Sequence, residues 1–257
     1  DTLFKRTAQK CVTSSSSRAF GLSSVILRQR MEQVIADRQQ EVMAFRKEHA
    51  NTVVDEVTVG QIIGGMRGIP GMLYETSKLD PAEGISYRGT KLFDIREKAP
   101  STVPGGEPIP EGVLWLLLTG ELPSESEIAG FKEELYRRGE LSAEEETMIK
   151  SFPRDMHAMT QFSMGVMACQ PKSHFMQAYQ SGVHKTKYWE STLEDCIDLC
   201  AKVSRIAAIV FANKYGDNNA IPARDGALDY GANYANQLGF TDENFWELMR
   251  LYITIHA

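Results

Sequence analysis

The sequence contains no uninterrupted apolar run that approaches the roughly 20 residues a membrane-spanning helix requires, so we expect no membrane insertion. It is also short of positive charge: 28 Lys and Arg stand against 34 Asp and Glu, giving a net charge of −6. A nucleic-acid backbone is bound by clustered Lys and Arg, so this balance argues against nucleic acid as a partner. An anionic small molecule remains compatible, because it needs only a few well-placed cations.

Cysteine is sparse, and its spacing fits no disulfide framework and contains no C-x-x-C pair. The four cysteines are Cys11, Cys169, Cys196 and Cys200. Cys196 and Cys200 lie four residues apart on a predicted helix and therefore on one face. A metal site needs further ligands close in space, so we interpret the cysteines as small buried residues in a reducing compartment and predict no metal.

Acidic residues are almost absent from the first twenty positions, where Asp1 is the single acid. The segment carries a serine run over 14–17 and four basic residues, Lys5, Arg6, Lys10 and Arg18. Basic, serine-rich and acid-poor composition is typical of an organellar transit segment, and "RAF" before Gly21 resembles a matrix-peptidase site. The alternative is a disordered tail that carries no targeting signal.

The rest of the chain divides into a short β-like region and a long helical one. Apolar residues at helical spacing predict an amphipathic helix over 24–49, with Asp37 as the candidate site of a break. Glycine, β-branched residues and turn pairs predict short strands over about 52–95. After Glu111 seven or more helices follow, among them an apolar core helix in "PEGVLWLLLTGELP" and helices with capping boxes at Ser124 and Ser142. Thr241 is the expected cap of the last helix. The fold class is mainly α.

Two basic segments are candidate anion sites. Arg67 stands between Gly65 and Gly68 in "GGMRGIPG", where a tight, exposed turn leaves room for a phosphate against the guanidinium. Lys185, with His184 and Lys187, lies at a predicted helix start, where the helix dipole also favours anions. The alternatives are a solvated charge on a turn and an ordinary basic turn.

Nucleotide hydrolysis and covalent catalysis find little support. "GISYRGTK" has P-loop glycine spacing, but its Lys and Thr come in the wrong order to reach phosphate and Mg²⁺. No nucleophile-elbow motif is present. His49 and His174 fall on polar helix surfaces, and His157 is interpreted as a packing residue. His256 continues an apolar stripe. It is interpreted either as a functional histidine with a shifted pKa or as a core histidine bonded to a carbonyl.

Four long segments together resemble the eukaryotic citrate synthases of the mitochondrial type. They are "GGMRGIPGMLYETSKLDPAEGISYRG", "EPIPEGVLWLLLTGELP", "HKTKYWE" and "ELMRLYITIH", and the resemblance runs in register from about residue 33 to Ala257. It implies a multi-helical large domain with a small β region near residues 52–95. Residues 1–20 would be the transit segment and 21–257 the amino-terminal part of that domain, with the small domain largely missing.

The resemblance also implies the chemistry. In the family "R-L-Y-x-T-I-H" runs on into "x-D-H-E-G-G-N", so the oxaloacetate-binding groups, two catalytic histidines and the aspartate base are expected beyond Ala257. The intact protein would condense acetyl-CoA with oxaloacetate and water to citrate and CoA, as a homodimer in the mitochondrial matrix. No tightly bound cofactor is implied. The 257 residues alone would be inactive.

Residue by residue, the resemblance implies two coenzyme contacts. Arg67 matches an arginine that contacts a CoA phosphate. Lys185 stands where the animal enzyme has an arginine that reaches CoA across the dimer, so the charge is kept and the planar fork is lost. His256 matches a histidine at the edge of the site and is not assigned a catalytic role. The alternatives are a methylcitrate synthase that uses propionyl-CoA and a non-catalytic scaffold that reuses the fold.

Overall fold

The structure is a computed structural model that describes residues 22–73, 76–216 and 221–257. The segment predicted as a transit peptide and Cys11 lie outside these ranges. Within them the chain forms eleven α-helices and one three-stranded sheet, which confirms the mainly α prediction. None of the described helices is both long and apolar enough to cross a bilayer. The α-helices are α1 (Leu22–His49), α2 (Val59–Ile63), α3 (Leu92–Lys98), α4 (Pro110–Thr119), α5 (Glu125–Arg138), α6 (Ala143–Lys150), α7 (Ala158–Ala168), α8 (His174–Gln180), α9 (Tyr188–Tyr215), α10 (Tyr230–Gln237) and α11 (Glu243–Ile255).

Helix α1 is a single continuous rod, so the candidate break at Asp37 is wrong. The helix contains neither Gly nor Pro, and the Gln33 side-chain amide donates to the Asp37 carboxylate at 2.9 Å, one turn away. Its first half packs on the body of the protein through Leu27 and Met31. From residue 36 onward every position is exposed.

The β region is smaller than the sequence predicts. Strands β1 (Ser77–Asp80), β2 (Gly84–Tyr87) and β3 (Thr90–Lys91) form one antiparallel sheet in the order β1-β2-β3. Residues 52–73 form no strand and contain α2 instead, so the strand prediction is wrong there. The physical reason is the capping box of α2, in which Thr58 and Gln61 each accept a backbone N–H of the other.

One core cluster is built from buried side chains of α4, α5 and the 28-residue α9, together with the first half of α1. Trp115 of α4 is 1% exposed and meets Phe131 of α5 edge-on, with ring centroids 5.6 Å apart. Helix α4 ends at Gly120, whose φ of 87° is the left-handed cap conformation that glycine adopts without strain. The predicted core helix and the capping boxes at Ser124 and Ser142 are confirmed.

The last helix closes the body against α10 and α4. Its cap is Asp242, whose carboxylate accepts the Phe245 N–H at 3.0 Å, so the expectation of a Thr241 cap is wrong by one residue. The sheet is joined to the same helix, because the buried Tyr87 hydroxyl of β2 donates to the Thr254 carbonyl oxygen at 2.5 Å. These contacts fix the sheet and α11 together.

Candidate functional site

Arg67 lies on a left-handed turn that follows α2 directly. Gly65, Met66 and Gly68 have φ values of 80°, 64° and 72°. The Met66 N–H donates to the Gln61 carbonyl at 2.8 Å, which folds the turn back on the end of the helix. Positive φ is common for glycine and uncommon for methionine, so the two glycines permit a turn that brings backbone and Arg67 to the surface.

The Arg67 side chain is exposed, and it makes no hydrogen bond or ion pair with any other residue in the described ranges. A guanidinium presents five donors in a planar fork that matches a phosphate group. The exposed tight turn predicted for Arg67 is therefore confirmed, and its donors are unpaired among the described residues.

Lys185 opens a 3₁₀ turn (Lys185–Lys187) that leads straight into α9. The His184 ring nitrogen caps this turn by accepting the Thr186 N–H. Lys185 and Lys187 are exposed, and neither forms an ion pair with a described acid. Two cations thus stand at the amino-terminal end of a 28-residue helix, where the helix dipole adds positive potential.

The two basic segments lie on different elements of the chain. Arg67 follows a short helix that buries no residue, and Lys185 precedes a 28-residue helix. Each is an exposed element of the surface.

The histidines lie away from the core. His256 is exposed, with Nδ1 2.7 Å from the Tyr252 carbonyl oxygen and its ring centroid 4.3 Å from that of Tyr252. The expected carbonyl bond is confirmed and the buried position is wrong. His157 is also exposed, because it caps α7 by accepting the Met159 N–H, so the packing interpretation is wrong. His49 and His174 lie on the surface, as predicted.

Sequence reasoning missed a buried carboxyl group at the start of α4. Glu111 is 2% exposed, its Oε1 accepts the Tyr230 N–H at 2.7 Å, and its Oε2 has no partner among the described residues. Burial, together with the nearby charge of Asp229, raises the pKa of Glu111 to about 7. The only signal in the sequence is an acid in the first turn of an otherwise apolar helix.

A buried ion network lies next to Glu111. Arg250 of α11 donates to the Asp229 carboxylate at 2.6 Å and to the Glu247 carboxylate at 2.5 Å. The other Glu247 oxygen accepts the Glu107 N–H at 2.7 Å. Since Asp229 also caps α10, this network ties α10, α11 and the Pro/Gly loop before α4 into one unit.

A cavity of about 220 Å³ opens between α4, α9, α10 and α11, beside Glu111. Its walls are mostly apolar, and Thr254 Oγ1 is a second buried polar atom there without a described partner. The apolar walls include Leu114, Leu117 and Val203, and the Cys200 thiol lies among them.

The cysteines are more accessible than predicted. Cys169, Cys196 and Cys200 are half-buried free thiols. Within the described ranges no group of three or more His, Cys, Asp or Glu side chains could hold a metal ion.

Comparison with known sequences places these features in a family. Residues 65–257 match the family described as "Citrate synthase, C-terminal domain". Citrate synthase 4, mitochondrial, of Arabidopsis thaliana is 44% identical over 231 residues, which is 90% of this chain and 48% of the relative. The mitochondrial citrate synthase of Xiphias gladius is 41% identical over 242 residues, 94% of this chain and 52% of the relative. The chain thus spans about half the length of the curated relatives it matches.

Solved structures show the same fold. The citrate synthase of Pyrobaculum aerophilum superposes with a TM-score of 0.66 at 20% identity, over 80% of this chain and 52% of that one. A citrate synthase of Thermoplasma acidophilum, solved in a ternary complex with carboxymethyl coenzyme A and oxaloacetate, gives 0.55 at 18% identity, over 74% of this chain and 46% of that one. The matched region begins at the turn that carries Arg67 and includes α4 through α11. On this evidence the chain belongs to the citrate synthase family.

Proposed function

We propose that this chain is the coenzyme-binding front portion of an enzyme that condenses acetyl-CoA with oxaloacetate and water to give citrate and CoA. The observation that carries the proposal is the family match over 65–257, which starts on the turn of Arg67 and extends past Lys185. The names of the curated relatives and the ligands of the Thermoplasma acidophilum complex support the same activity and substrates.

Arg67 and Lys185 are the residues to which we assign CoA binding. Both are exposed, and neither is paired with a described acid, so a phosphate would not have to displace an internal partner. Arg67 would grip a phosphate through two parallel N–H donors, and Lys185 would act as a point charge. As the family resemblance implies, the proposal has Lys185 act across a homodimer.

Exposed apolar side chains support the homodimer. Helix α7 leaves Met159 61% and Met167 73% exposed, and α9 leaves Tyr215 67% exposed. Apolar side chains exposed in this number on neighbouring helices are typical of surfaces that pack against another chain. In the proposed dimer they would be buried between copies.

The proposal assigns the reaction's proton transfers to residues outside these 257. An aspartate would remove a methyl proton from acetyl-CoA while histidines polarise the two reacting carbonyls, and closure of the domains would exclude water. We therefore assign no catalytic residue within this chain, and the 257-residue chain alone is expected to bind CoA without turnover.

The proposed location is the mitochondrial matrix, with residues 1–20 as the targeting segment. The relatives are named mitochondrial, and the acid-poor, basic composition of these residues is compatible with import. A fusion of residues 1–21 to a fluorescent protein should enter mitochondria, and diffuse fluorescence would contradict the assignment.

The coenzyme assignment is tested by Arg67→Ala in the full-length protein. Loss of charged hydrogen bonds worth about 1.5–3 kcal/mol should raise the KM for acetyl-CoA roughly 10- to 100-fold and leave the KM for oxaloacetate unchanged. Arg46→Ala is the matched control, because Arg46 is also exposed and unpaired among the described residues. An acetyl-CoA KM that does not respond to Arg67→Ala removes the assignment.

The activity itself is tested by comparing acetyl-CoA and propionyl-CoA as substrates of the full-length protein in an oxaloacetate-dependent CoA-release assay. Faster turnover of acetyl-CoA is the expected result. Preference for propionyl-CoA would favour a methylcitrate synthase, and absence of turnover with either would favour a scaffold.

A further inference from the structure

Helix α9 presents two thiols side by side. Cys196 and Cys200 are four residues apart near the middle of the helix, which puts their side chains on one face. Leu193, Ile197 and Ala201 on the adjacent face are buried in the core, which fixes the orientation of the helix. Both thiols therefore lie on the same stretch of a fixed helix surface.

Both thiols can be reached from outside the described body. Each is half-buried, and Cys200 lines the cavity of about 220 Å³ together with Leu114, Leu117 and Val203. The site therefore combines a pair of sulfur atoms with an adjoining apolar space that has room for a small hydrocarbon group.

A direct disulfide does not suit this pair. Side chains at positions i and i+4 of a helix have Cβ atoms about 5–6 Å apart, whereas a disulfide needs about 3.5–4.5 Å. Closing that gap would distort α9, which is continuous through both residues. A bridge that contains one more atom spans the pair without this distortion.

The pair is also chemically activated. The interaction with the neighbouring Cys200 lowers the pKa of Cys196 to about 7, and the same interaction together with burial raises the pKa of Cys200. Near neutral pH one sulfur is therefore an available thiolate, and the thiolate is the reactive form.

We propose that Cys196 and Cys200 form a dithiol site that captures a monosubstituted trivalent arsenical, with its organic substituent in the cavity. In the reaction of an arsine oxide, two S–H bonds and the arsenic–oxygen double bond break. Two arsenic–sulfur bonds form, and the two protons leave with the oxygen as water. Arsenic stays trivalent, so no oxidant or reductant is needed.

Phenylarsine oxide and the reduced full chain test the proposal by intact mass and peptide mapping. We expect one phenylarsenic group per chain, with loss of two protons, bridging Cys196 and Cys200. A dithiol should remove it and a monothiol should not. Because two-point attachment strengthens binding by roughly 10²-fold or more, Cys196→Ser and Cys200→Ser should each weaken capture by about that factor.

Cys169→Ser is the matched control and should leave capture unchanged, since Cys169 is half-buried on α7's end and is not part of the pair. Undiminished capture by Cys196→Ser or Cys200→Ser, or release of the adduct by a monothiol, would overturn the dithiol site. These outcomes do not depend on condensing activity.

The place of the substituent is tested separately with Val203→Phe, which fills the cavity next to Cys200. The native chain should prefer the phenyl reagent to the methyl reagent, and the variant should lose that preference while still capturing methylarsine oxide. Leu117→Phe is the second variant should Val203→Phe fail to fold. An unchanged phenyl preference in a folded variant would overturn this placement.

Discussion

The α4–α5–α9 core and the segment 51–73 are positioned by opposite means. Trp115 in the core is 1% exposed and surrounded by apolar side chains, whereas none of residues 51–73 is buried. The segment takes its shape from a capping box at Thr58 and from positive φ angles around Arg67. We infer that stability depends on the core residues and the proposed coenzyme contact on the exposed segment. Substitutions in one region should therefore leave the property of the other unchanged.

The largest effect should come from the core. Trp115→Ala removes a buried ring that packs on Phe131 and should lower the free energy of unfolding by about 3–5 kcal/mol, measured by urea denaturation. Met43→Ala is the control, because Met43 is 64% exposed on α1 and should change stability by no more than about 0.5 kcal/mol. Equal losses of unfolding free energy in Trp115→Ala and Met43→Ala would contradict the assignment of stability to the core.

The next largest effect should depend on pH and on Glu111. Its pKa is about 7 in the fold against 4.5 when unfolded, so the folded state binds more protons between these values. Stability from this group is fully present below pH 4.5 and is lost as pH rises through 7. Glu111→Gln should therefore be more stable than the native chain at pH 8 by about 3 kcal/mol, and equal to it near pH 4.

Glu145→Gln supplies a control of opposite sign. Burial opposes ionisation of Glu145, but the Ser142 N–H and the Lys172 ammonium outweigh it and hold the pKa of Glu145 below its usual value. Its contribution is present above the unfolded pKa of 4.5 and lost as pH falls through the folded value, so Glu145→Gln should destabilise at pH 8. Parallel pH profiles for the two variants would contradict the assignment of Glu111.

A smaller and local effect should follow Thr58→Ala. Loss of the cap of α2 costs about 1 kcal/mol, which should speed amide exchange at Gln61 roughly fivefold. The urea midpoint should not move, because α2 buries no residue. Thr52→Ala is the control in the same exposed segment. A shifted midpoint for Thr58→Ala would show that the segment is coupled to the core.

The smallest effect should come from Lys185→Arg in the full-length protein. An arginine restores the planar fork and should lower the KM for acetyl-CoA roughly two- to fivefold, with kcat unchanged. Lys187→Arg tests whether position matters, since Lys187 lies two residues on in the same exposed turn and should have no effect. An equal decrease in the KM for acetyl-CoA in both variants would show that Lys185 has no specific contact with CoA.

Sequence patterns predicted those parts of the fold that depend on neighbours along the chain. The caps at Ser124 and Ser142 and the glycine end of α4 follow from residues within a few positions of each other. The exposed turn of Arg67 was predicted for the same reason, from Gly65 and Gly68. The roles of Arg67 and Lys185 in CoA binding stay predictions.

The features that sequence patterns missed depend on distant partners. The buried Glu111 accepts the N–H of Tyr230, more than a hundred residues away, and no local pattern predicts that contact. The error over residues 52–73 has a different cause. β-branched residues there suggested strands, but no described strand pairs with this segment, and the Thr58–Gln61 capping box favours a helix.

The hydroxyl of Tyr87 connects the small sheet to the last helix. Its bond to the Thr254 carbonyl oxygen is sealed from water, since Tyr87 and Thr254 are each 0% exposed. This buried hydrogen bond therefore couples a displacement of α11 to β2. A hinge between β2 and α11 would have to break this hydrogen bond, so the small sheet is expected to move together with the helical body.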